Sequence, residues 1–166
     1  MHSLVKLLTK ILANRLAPLL DSLISANQSA FIRERCIHVN FILVQQTVKV
    51  LHRFKVPSLF LKLDIAKAFD SVSWSFLLEV LQHLGFGPSW CNLVANLLST
   101  SSTPILVNGE PSDHLQHHRG LCQGDPLSPM LFILMMDVLN SLFVKAGTEG
   151  LLQPLSSRVF GQRLSL

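Results

Sequence analysis

One aspartate stands where an apolar stretch of the sequence gives way to a polar one. The segment LFLKLDIAKAFD, residues 59–70, places Asp64 after a short run of leucine and phenylalanine that begins beyond Pro57. Such a run predicts a buried strand, with Asp64 near its carboxyl end. A lone aspartate in that position is ordinarily a cap or turn residue, and a catalytic carboxylate there needs partners.

A second candidate is the loop RGLCQGDPLSP, residues 119–129, which precedes a long apolar segment. The amide of Gln123 both donates and accepts hydrogen bonds, and Gly124 allows the backbone to approach a ligand closely. Asp125 and Pro126 are expected to shape the turn. The alternative is plain geometry, because a Gly-Asp-Pro turn commonly leads into a helix.

Four stretches, in this order, resemble the polymerase domain of a plant LINE-type (non-LTR) retrotransposon. They read KILANRLAPLLDSLISANQSAFI, LKLDIAKAFDSVSWSFL, ILVNGEPS and RGLCQGDPLSPMLFILMMDVL, and the resemblance extends over nearly all 166 residues. The second and fourth resemble motifs A and B of reverse transcriptases. The resemblance implies a helix-rich α+β fold of the right-hand polymerase type, with fingers over about residues 1–57 and a partial palm over about 58–166.

The resemblance also implies RNA-directed DNA polymerase chemistry, with Mg²⁺ as cofactor and an RNA template, a DNA primer and dNTPs as partners. Nucleotidyl transfer uses two divalent ions about 4 Å apart, so carboxylates must converge. Asp64 would be one of them, and the Ile65 carbonyl a further oxygen ligand. In this family the other catalytic carboxylate lies in motif C, a Tyr/Phe-Ala-Asp-Asp turn that follows a stretch like GQRLSL. The chain is therefore expected to be a fragment, cut before motif C and inactive alone.

Phe69 lies five residues beyond Asp64, where the family places an aromatic ring against the incoming sugar. Such a ring would exclude a 2′ hydroxyl by sterics and so select deoxynucleotides. The alternative is an ordinary core phenylalanine. Asp70, just before a predicted helix, is expected to be structural, since aspartate is favoured near helix N-termini.

Arg33 and Arg35 lie in the segment that resembles the fingers loop, and their guanidinium groups suit phosphate binding. Arg35 matches the arginine of the family pattern F-I-x-G-R, but Glu34 replaces the glycine before it. Val39 stands where the family usually has Asp, and Cys122 where it usually has Arg. These departures indicate a decaying element or tolerated variants.

The amino-acid composition narrows the classes of protein to which the chain can belong. With 49% hydrophobic and 14% charged residues, the chain is expected to fold as one domain, and a mean hydropathy of +0.42 predicts exposed apolar surface in a partial domain. Asp137 interrupts the longest apolar run, so we expect no membrane span. We also expect no signal peptide. Three widely spaced cysteines indicate reduced thiols and a nuclear or cytoplasmic, not secreted, protein.

Charge is unevenly distributed along the chain. Residues 1–67 hold ten Lys or Arg against three acidic residues, a net charge of +7, whereas the remainder carries −3. A basic portion of this kind is typical of a surface that follows a phosphate backbone. The alternative is that these side chains solubilise helix faces.

Hydrophobic periodicity and turn residues predict five helices and a hairpin. The helices are expected at residues 4–20, 39–54, 75–84, 89–98 and 129–146, with a loop at 27–35 and hairpin arms at 105–107 and 115–117. Asn108 and Gly109 would form the turn, Ser128 would cap the last helix and Gly147 would end it. Three histidines at 114, 117 and 118 are expected to be solvated on the hairpin, not to bind zinc.

Three hypotheses follow for function. The leading one is a fragment of the RNA-directed DNA polymerase of a non-LTR retrotransposon. The second is a residual nucleic-acid-binding module without catalysis, and the third is a pseudogene product without selected activity. No obligate protein partner is evident from the sequence.

Overall fold

A computed structural model describes residues 3–55 and 57–152, and in this part of the chain the architecture is α+β, as predicted. The helices are α1 (Ser3–Leu23), α2 (Ile37–Arg53), α3 (Trp74–His83), α4 (Pro88–Ser99) and α5 (Ser128–Thr148); the strands are β1 (Ser102–Val107) and β2 (Glu110–Gln116). All five predicted helices are confirmed, with ends that differ by at most three residues.

The hydrophobic core lies between α1, α3, α4 and α5. On α1, the leucines at 12, 16 and 20 repeat every four residues, so they share one face of the helix, and all three are buried. They belong to one cluster with buried side chains of the other three helices: Leu77, Leu81, Cys91, Val94, Leu98, Leu131, Ile133 and Leu134.

Asp137, in the middle of α5, holds the chain where it leaves α1. Its Oδ1 atom accepts hydrogen bonds from the Ser25 backbone N–H at 3.1 Å and from the Ser25 hydroxyl at 2.6 Å.

In the described part of the chain, α5 alone is long and apolar enough to cross a membrane. This is weak evidence, because a core helix of a soluble protein passes the same test. The first half of α5 packs into the core.

The strand predicted before Asp64 is wrong. Residues 57–65 have no regular secondary structure, and Leu59 and Leu61 are 92% and 64% exposed. A strand has no hydrogen bonds within its own segment and forms only beside a neighbour. Among the described residues the only sheet is β1–β2, and it does not pair with this segment. The apolar pattern predicted a strand, but the described residues contain no neighbouring strand that pairs with this segment.

The predicted hairpin is confirmed, with longer strands than expected. β1 and β2 pair antiparallel, and the turn residues Asn108 and Gly109 have φ values of +54° and +88°. Two successive positive φ values are those of a type I′ turn, whose twist matches that of the strands. β2 begins at Glu110, directly after the turn, so the Glu-Pro-Ser segment belongs to the strand and not to the loop.

The start of α5 differs from the prediction. Ser128 does not cap the helix; it is the first helical residue, and both its backbone N–H (3.2 Å) and its hydroxyl (3.1 Å) donate to Oδ2 of Asp125. The carboxylate three residues earlier is the better acceptor, so the serine hydroxyl serves as donor. The helix also continues through Gly147, because glycine tolerates helical as well as left-handed φ.

The apolar surface expected from the composition is present on α2. None of its residues is buried, and Phe41 and Leu43 are 66% and 63% exposed. Helix α2 and residues 57–65 are therefore two exposed apolar segments that lie close together in sequence. Exposed apolar segments of this kind favour association between copies.

We expect that replacing Leu59 and Leu61 together by lysine raises the soluble yield of the chain without lowering its melting temperature, because both side chains are exposed and outside the core. The control is the same double change at Leu4 and Leu7, which are 69% and 60% exposed on α1. An equal rise in the control would mean that net charge, and not the apolar segment, limits solubility.

Candidate functional site

Three hydrogen bonds join the segment after Asp64 to the glycine-rich loop before α5. The Gly120 N–H donates to the Val72 carbonyl at 2.8 Å, and the Leu121 N–H donates to the Phe69 carbonyl at 2.9 Å. In return, the indole N–H of Trp74 donates to the Gly120 carbonyl at 2.7 Å. We call these three bonds the Gly120 junction.

The junction requires glycine at position 120 for two reasons. Its φ is +90°, in the left-handed region that side chains disfavour. A Cβ atom placed there would also lie 3.1 Å from the Asp70 carbonyl oxygen and 3.2 Å from the Asp70 Cα. The backbone of Asp70 is thus the part of the chain that lies against Gly120. The capping role expected for it belongs to Ser73, which accepts the Phe76 N–H at the start of α3.

Beyond the junction, Gln123 and Gly124 form the tip of a tight turn. The Asp125 N–H donates to the Cys122 carbonyl at 3.3 Å, and Gly124 has a φ of +87°. No atom lies within 4 Å of a Cβ built on Gly124, so the space beside the turn is open. Gln123 and Gly124 are both exposed. The tip is thus accessible to a ligand, while both of its ends are held.

Asp125 holds the second end of this turn. Its side chain is 7% exposed, and its Oδ2 atom accepts the two Ser128 bonds described above. Its Oδ1 atom is buried and has no hydrogen-bond partner among the described residues. The prediction that Asp125 shapes the turn is confirmed.

Asp64 and Ile65 lie at the end of the exposed segment 57–65. The Asp64 side chain is exposed and makes no hydrogen bond or ion pair with another described residue. Neither residue lines the cavity of about 910 Å³ that adjoins the junction. Their roles as catalytic carboxylate and carbonyl ligand stay predictions.

Phe69 lies half-buried at the junction. Its ring stacks on Phe132 of α5 with a centroid distance of 4.8 Å and an interplanar angle of 17°. It also packs against the hydrophobic core. This packing is that of the core phenylalanine named as the alternative, and selection against a 2′ hydroxyl stays a prediction.

Arg35 has a structural role that the sequence prediction missed. Nη1 donates to the carbonyls of Ser25 and Gln28, both at 2.7 Å, while Nε and Nη2 donate to the Asp21 carboxylate at 3.1 and 2.6 Å. Nη2 also reaches the Asp21 carbonyl at 3.3 Å. All five N–H donors are thereby used by groups of the loop and of the last turn of α1, which gives Arg35 a structural role, and phosphate binding by Arg35 stays a prediction.

Arg33 and Glu34 lie in the same loop as Arg35. Arg33 is exposed and makes no hydrogen bond or ion pair with another described residue, so it is available to a phosphate. Glu34 has a φ of +67°, the left-handed conformation for which glycine is suited. The substitution of glycine by Glu34 therefore costs about 1 kcal/mol of backbone strain. The other two departures from the family pattern, Val39 on α2 and Cys122 in the loop before α5, are both exposed.

A cavity of about 910 Å³ adjoins the junction on the side of the hairpin. Its apolar lining includes side chains of α4 and Leu131 of α5, and the polar side chains of its rim come largely from the hairpin and the loop that follows it. Gln123 and Asp70 line it, whereas Asp64, Phe69 and Gly124 do not. The structure thus brings only part of the predicted site to this cavity.

The junction itself was not predicted from the sequence. Trp74 and Gly120 are its main residues, and they lie 46 positions apart. The one available signal was the Trp in the stretch LKLDIAKAFDSVSWSFL, because a buried indole N–H needs an acceptor. Nothing in the sequence identifies the Gly120 carbonyl as that acceptor.

The described residues do not complete a metal centre. No group of three or more His, Cys, Asp or Glu side chains in this part of the chain is placed to hold an ion. Asp64 and the Ile65 carbonyl are hard oxygen donors of the kind Mg²⁺ accepts. Two such donors leave most of a coordination sphere to water and to ligands from elsewhere.

Comparison with known proteins gives one family. The family model described as "Reverse transcriptase (RNA-dependent DNA polymerase)" matches residues 1–149. The Pol polyprotein of the type-1 retrotransposable element R2 of Popillia japonica is 34% identical over 138 residues, which are 82% of this chain and 19% of that protein. The transposon TX1 149 kDa protein of Xenopus laevis is 29% identical over 154 residues, 93% of this chain and 12% of that protein.

A plant sequence is also similar. An uncharacterized mitochondrial protein of Arabidopsis thaliana is 49% identical over 46 residues, which are 28% of this chain and 38% of that protein. This chain spans about a fifth or less of the length of the R2 and TX1 proteins.

Gly120→Ala should lower the free energy of unfolding by about 2–3 kcal/mol, because it adds a close contact with Asp70 to the cost of a positive φ. Gly124→Ala is the matched control. It has nearly the same φ but open space beside it, so we expect a loss of about 1 kcal/mol. Denaturant unfolding followed by circular dichroism measures both, and equal losses would contradict a close approach at Gly120.

Arg35→Gln should destabilise the chain by about 2 kcal/mol, since it removes charge-assisted hydrogen bonds to two loop carbonyls. Arg33→Gln makes the same change of charge on an exposed side chain and should shift stability by less than about 0.5 kcal/mol. The midpoints of chemical denaturation provide the comparison. If Arg33→Gln is the more destabilising variant, Arg35 does not hold the loop.

Proposed function

Because the chain belongs to the reverse transcriptase (RNA-dependent DNA polymerase) family, we propose that it forms the nucleotide-binding side of an RNA-directed DNA polymerase from a non-LTR retrotransposon. Its substrates would be an RNA template, a DNA primer and dNTPs. The observation that carries this proposal is the Gly120 junction. It fixes the Gln123–Gly124 turn, with open space beside it, to the segment that contains Phe69.

The proposed division is fingers over about residues 1–57 and part of the palm over about 58–166. In the palm, Asp64 and the Ile65 carbonyl would hold Mg²⁺, which when bound would activate the primer hydroxyl and hold the triphosphate. Phe69 would limit the space beside the sugar. This last role requires its ring to present an edge to the nucleotide while the stack on Phe132 holds it.

The loop residues have separate proposed tasks. Gln123 would hydrogen-bond the incoming nucleotide or the template base, and Gly124 would let the backbone approach it. In the fingers, Arg33 would contact phosphate. Arg35 would act as a positioning residue, because its hydrogen bonds fix the loop that carries Arg33.

We assign the second catalytic carboxylate to a segment outside these 166 residues. They contain six aspartates, none adjacent to another, and so lack an Asp-Asp pair of the motif C kind. On this proposal the chain alone is inactive. The similarity to the Arabidopsis thaliana protein supports a plant origin, and the similarity to the R2 and TX1 proteins supports a LINE-type (non-LTR) element. A nuclear or cytoplasmic location is the expectation for such an enzyme.

A nucleic-acid-binding module without catalysis is the second candidate. It is favoured by the net charge of +7 over residues 1–67 together with the exposed position of Arg33. Neutralising each phosphate of a single strand adds about −0.7 to the slope of log K against log salt. A salt-dependent affinity for RNA without polymerase activity in any longer form would support this candidate over the first.

Primer extension tests the leading proposal. The 166-residue chain with Mg²⁺, dNTPs and a primed RNA template should show background extension, because one carboxylate cannot complete a two-metal site. A form extended through a family-type motif C hairpin should extend the primer, and Asp64→Asn should abolish that activity.

Asp113→Asn is the control for charge, since Asp113 is exposed on β2. It should leave the extension rate within about twofold of the unmodified long form. Template-dependent extension by the 166-residue chain itself, lost in Asp64→Asn, would contradict the assignment of the second carboxylate. An inactive long form would instead implicate the substitutions at Glu34, Val39 and Cys122.

A further inference from the structure

The rim of the cavity beside the Gly120 junction carries a group of basic side chains that the proposed function does not use. His114, His117, His118 and Arg119 all line the cavity, and all four are exposed. They lie at the end of β2 and in the loop that leads to Gly120. Three of the seven histidines of the chain are thus concentrated in five successive residues.

Two of these imidazole rings are held by hydroxyl groups of the opposite strand. His114 Nδ1 lies 3.2 Å from the Ser102 hydroxyl, and His117 Nε2 lies 2.9 Å from the Thr103 hydroxyl. A hydroxyl can donate to a neutral imidazole nitrogen and accept from a protonated one. The rings can therefore gain charge without losing these contacts or the geometry of the hairpin.

The charge of the cavity lining changes sign when the histidines are protonated. Besides them, the charged side chains among the described lining residues are those of Arg119, Asp70 and Asp125, a net charge of −1, and Cys122 is the other titratable group of that set. Three protonated histidines change this net charge to +2. As a residue type, histidine is the side chain whose charge ordinarily changes near neutral pH, where carboxylates ordinarily stay charged.

The other elements that line the cavity add no charged side chain among the described residues. The side chains that α1 and α4 contribute to the lining are uncharged: Val5, Thr9, Val94, Leu97 and Leu98. On β2, Glu110 and Asp113 are exposed but lie outside the lining. A protonated cavity rim therefore presents a local positive surface next to Gln123.

We propose that His114, His117 and His118, when protonated, join Arg119 in binding the phosphate groups of single-stranded RNA at the mouth of this cavity. RNA affinity then rises as the pH falls. The inference rests on the proposed function for the identity of the ligand, since the Gln123 turn on the same rim is where a template strand would pass. The ligand chemistry, a phosphodiester chain, follows from several adjacent cations and a polar rim beside an apolar lining.

The test compares the affinity of the whole chain for a short fluorescein-labelled oligouridylate at about pH 8 and about pH 5.5, at constant ionic strength, by fluorescence anisotropy. We expect the affinity for RNA to be about tenfold higher at the lower pH, because three exposed ion pairs with phosphate would add their free energies. The salt slope should steepen by about 2. The triple variant His114→Gln, His117→Gln and His118→Gln should lose this gain and keep the affinity at about pH 8.

The matched control is the triple variant His38→Gln, His52→Gln and His83→Gln. It removes the same number of histidines from exposed positions on α2 and α3, outside the cavity lining, and should retain the gain. Circular dichroism at both pH values checks that each variant keeps its helices. The C2-proton signals of the histidines, followed by NMR, give a second readout that should shift with RNA only in forms with the hairpin histidines.

A gain that persists in the hairpin variant, or that is lost in the control variant, would overturn the inference. So would histidine signals that shift with inorganic pyrophosphate but not with RNA, since the site would then take a free anion. Binding at about pH 8 without any gain at about pH 5.5 refutes this inference alone. The proposed polymerase function is judged separately, by whether primer extension by the long form is lost in Asp64→Asn.

Discussion

The backbone contact at Gly120 is the constraint on which the rest of the candidate site depends. Two N–H groups and one indole donor join segments that are distant in sequence, and the absence of a side chain at Gly120 lets them approach this closely. The contact fixes where α3 begins, because Trp74 is its first residue. It also fixes one end of the Gln123–Gly124 turn, while the carboxylate of Asp125 fixes the other. A turn held at both ends can present an open tip at little entropic cost on binding.

The loop that carries Arg33 and Arg35 shows how a substitution and its surroundings act together. Arg35 fills the loop with hydrogen bonds, and Asn40 adds two more, to the Asn27 carbonyl and the Ser29 hydroxyl, both at 2.8 Å. These contacts hold Glu34 in a left-handed conformation that glycine would adopt without strain. The loop thus keeps its shape although Glu34 stands where the family pattern has glycine. This is a physical basis for regarding the substitution at Glu34 as destabilising but not disruptive.

The core accounts for only part of the apolar residues of the chain. Four helices bury their faces against one another, while α2 and residues 57–65 remain exposed. An amphipathic helix gains most of its stability from packing, and a strand exists only beside another strand. Both segments therefore have the sequences of elements that require a neighbouring surface. The same reasoning explains why Asp64, which follows the second of them, has no fixed partner among the described residues.

The sequence by itself determined the five helices, the Asn-Gly hairpin turn and the family, because each is encoded by residues close together in the chain. The periodicity of leucines on α1 and the positive φ values of Asn108 and Gly109 are local properties. Only the tertiary structure decided that Arg35 bonds to its own loop, that the Phe69 ring stacks on Phe132 and that residues 57–65 form no strand. These outcomes depend on which groups come within about 3–5 Å after folding, and pairing of that kind has no signature in the spacing of residues.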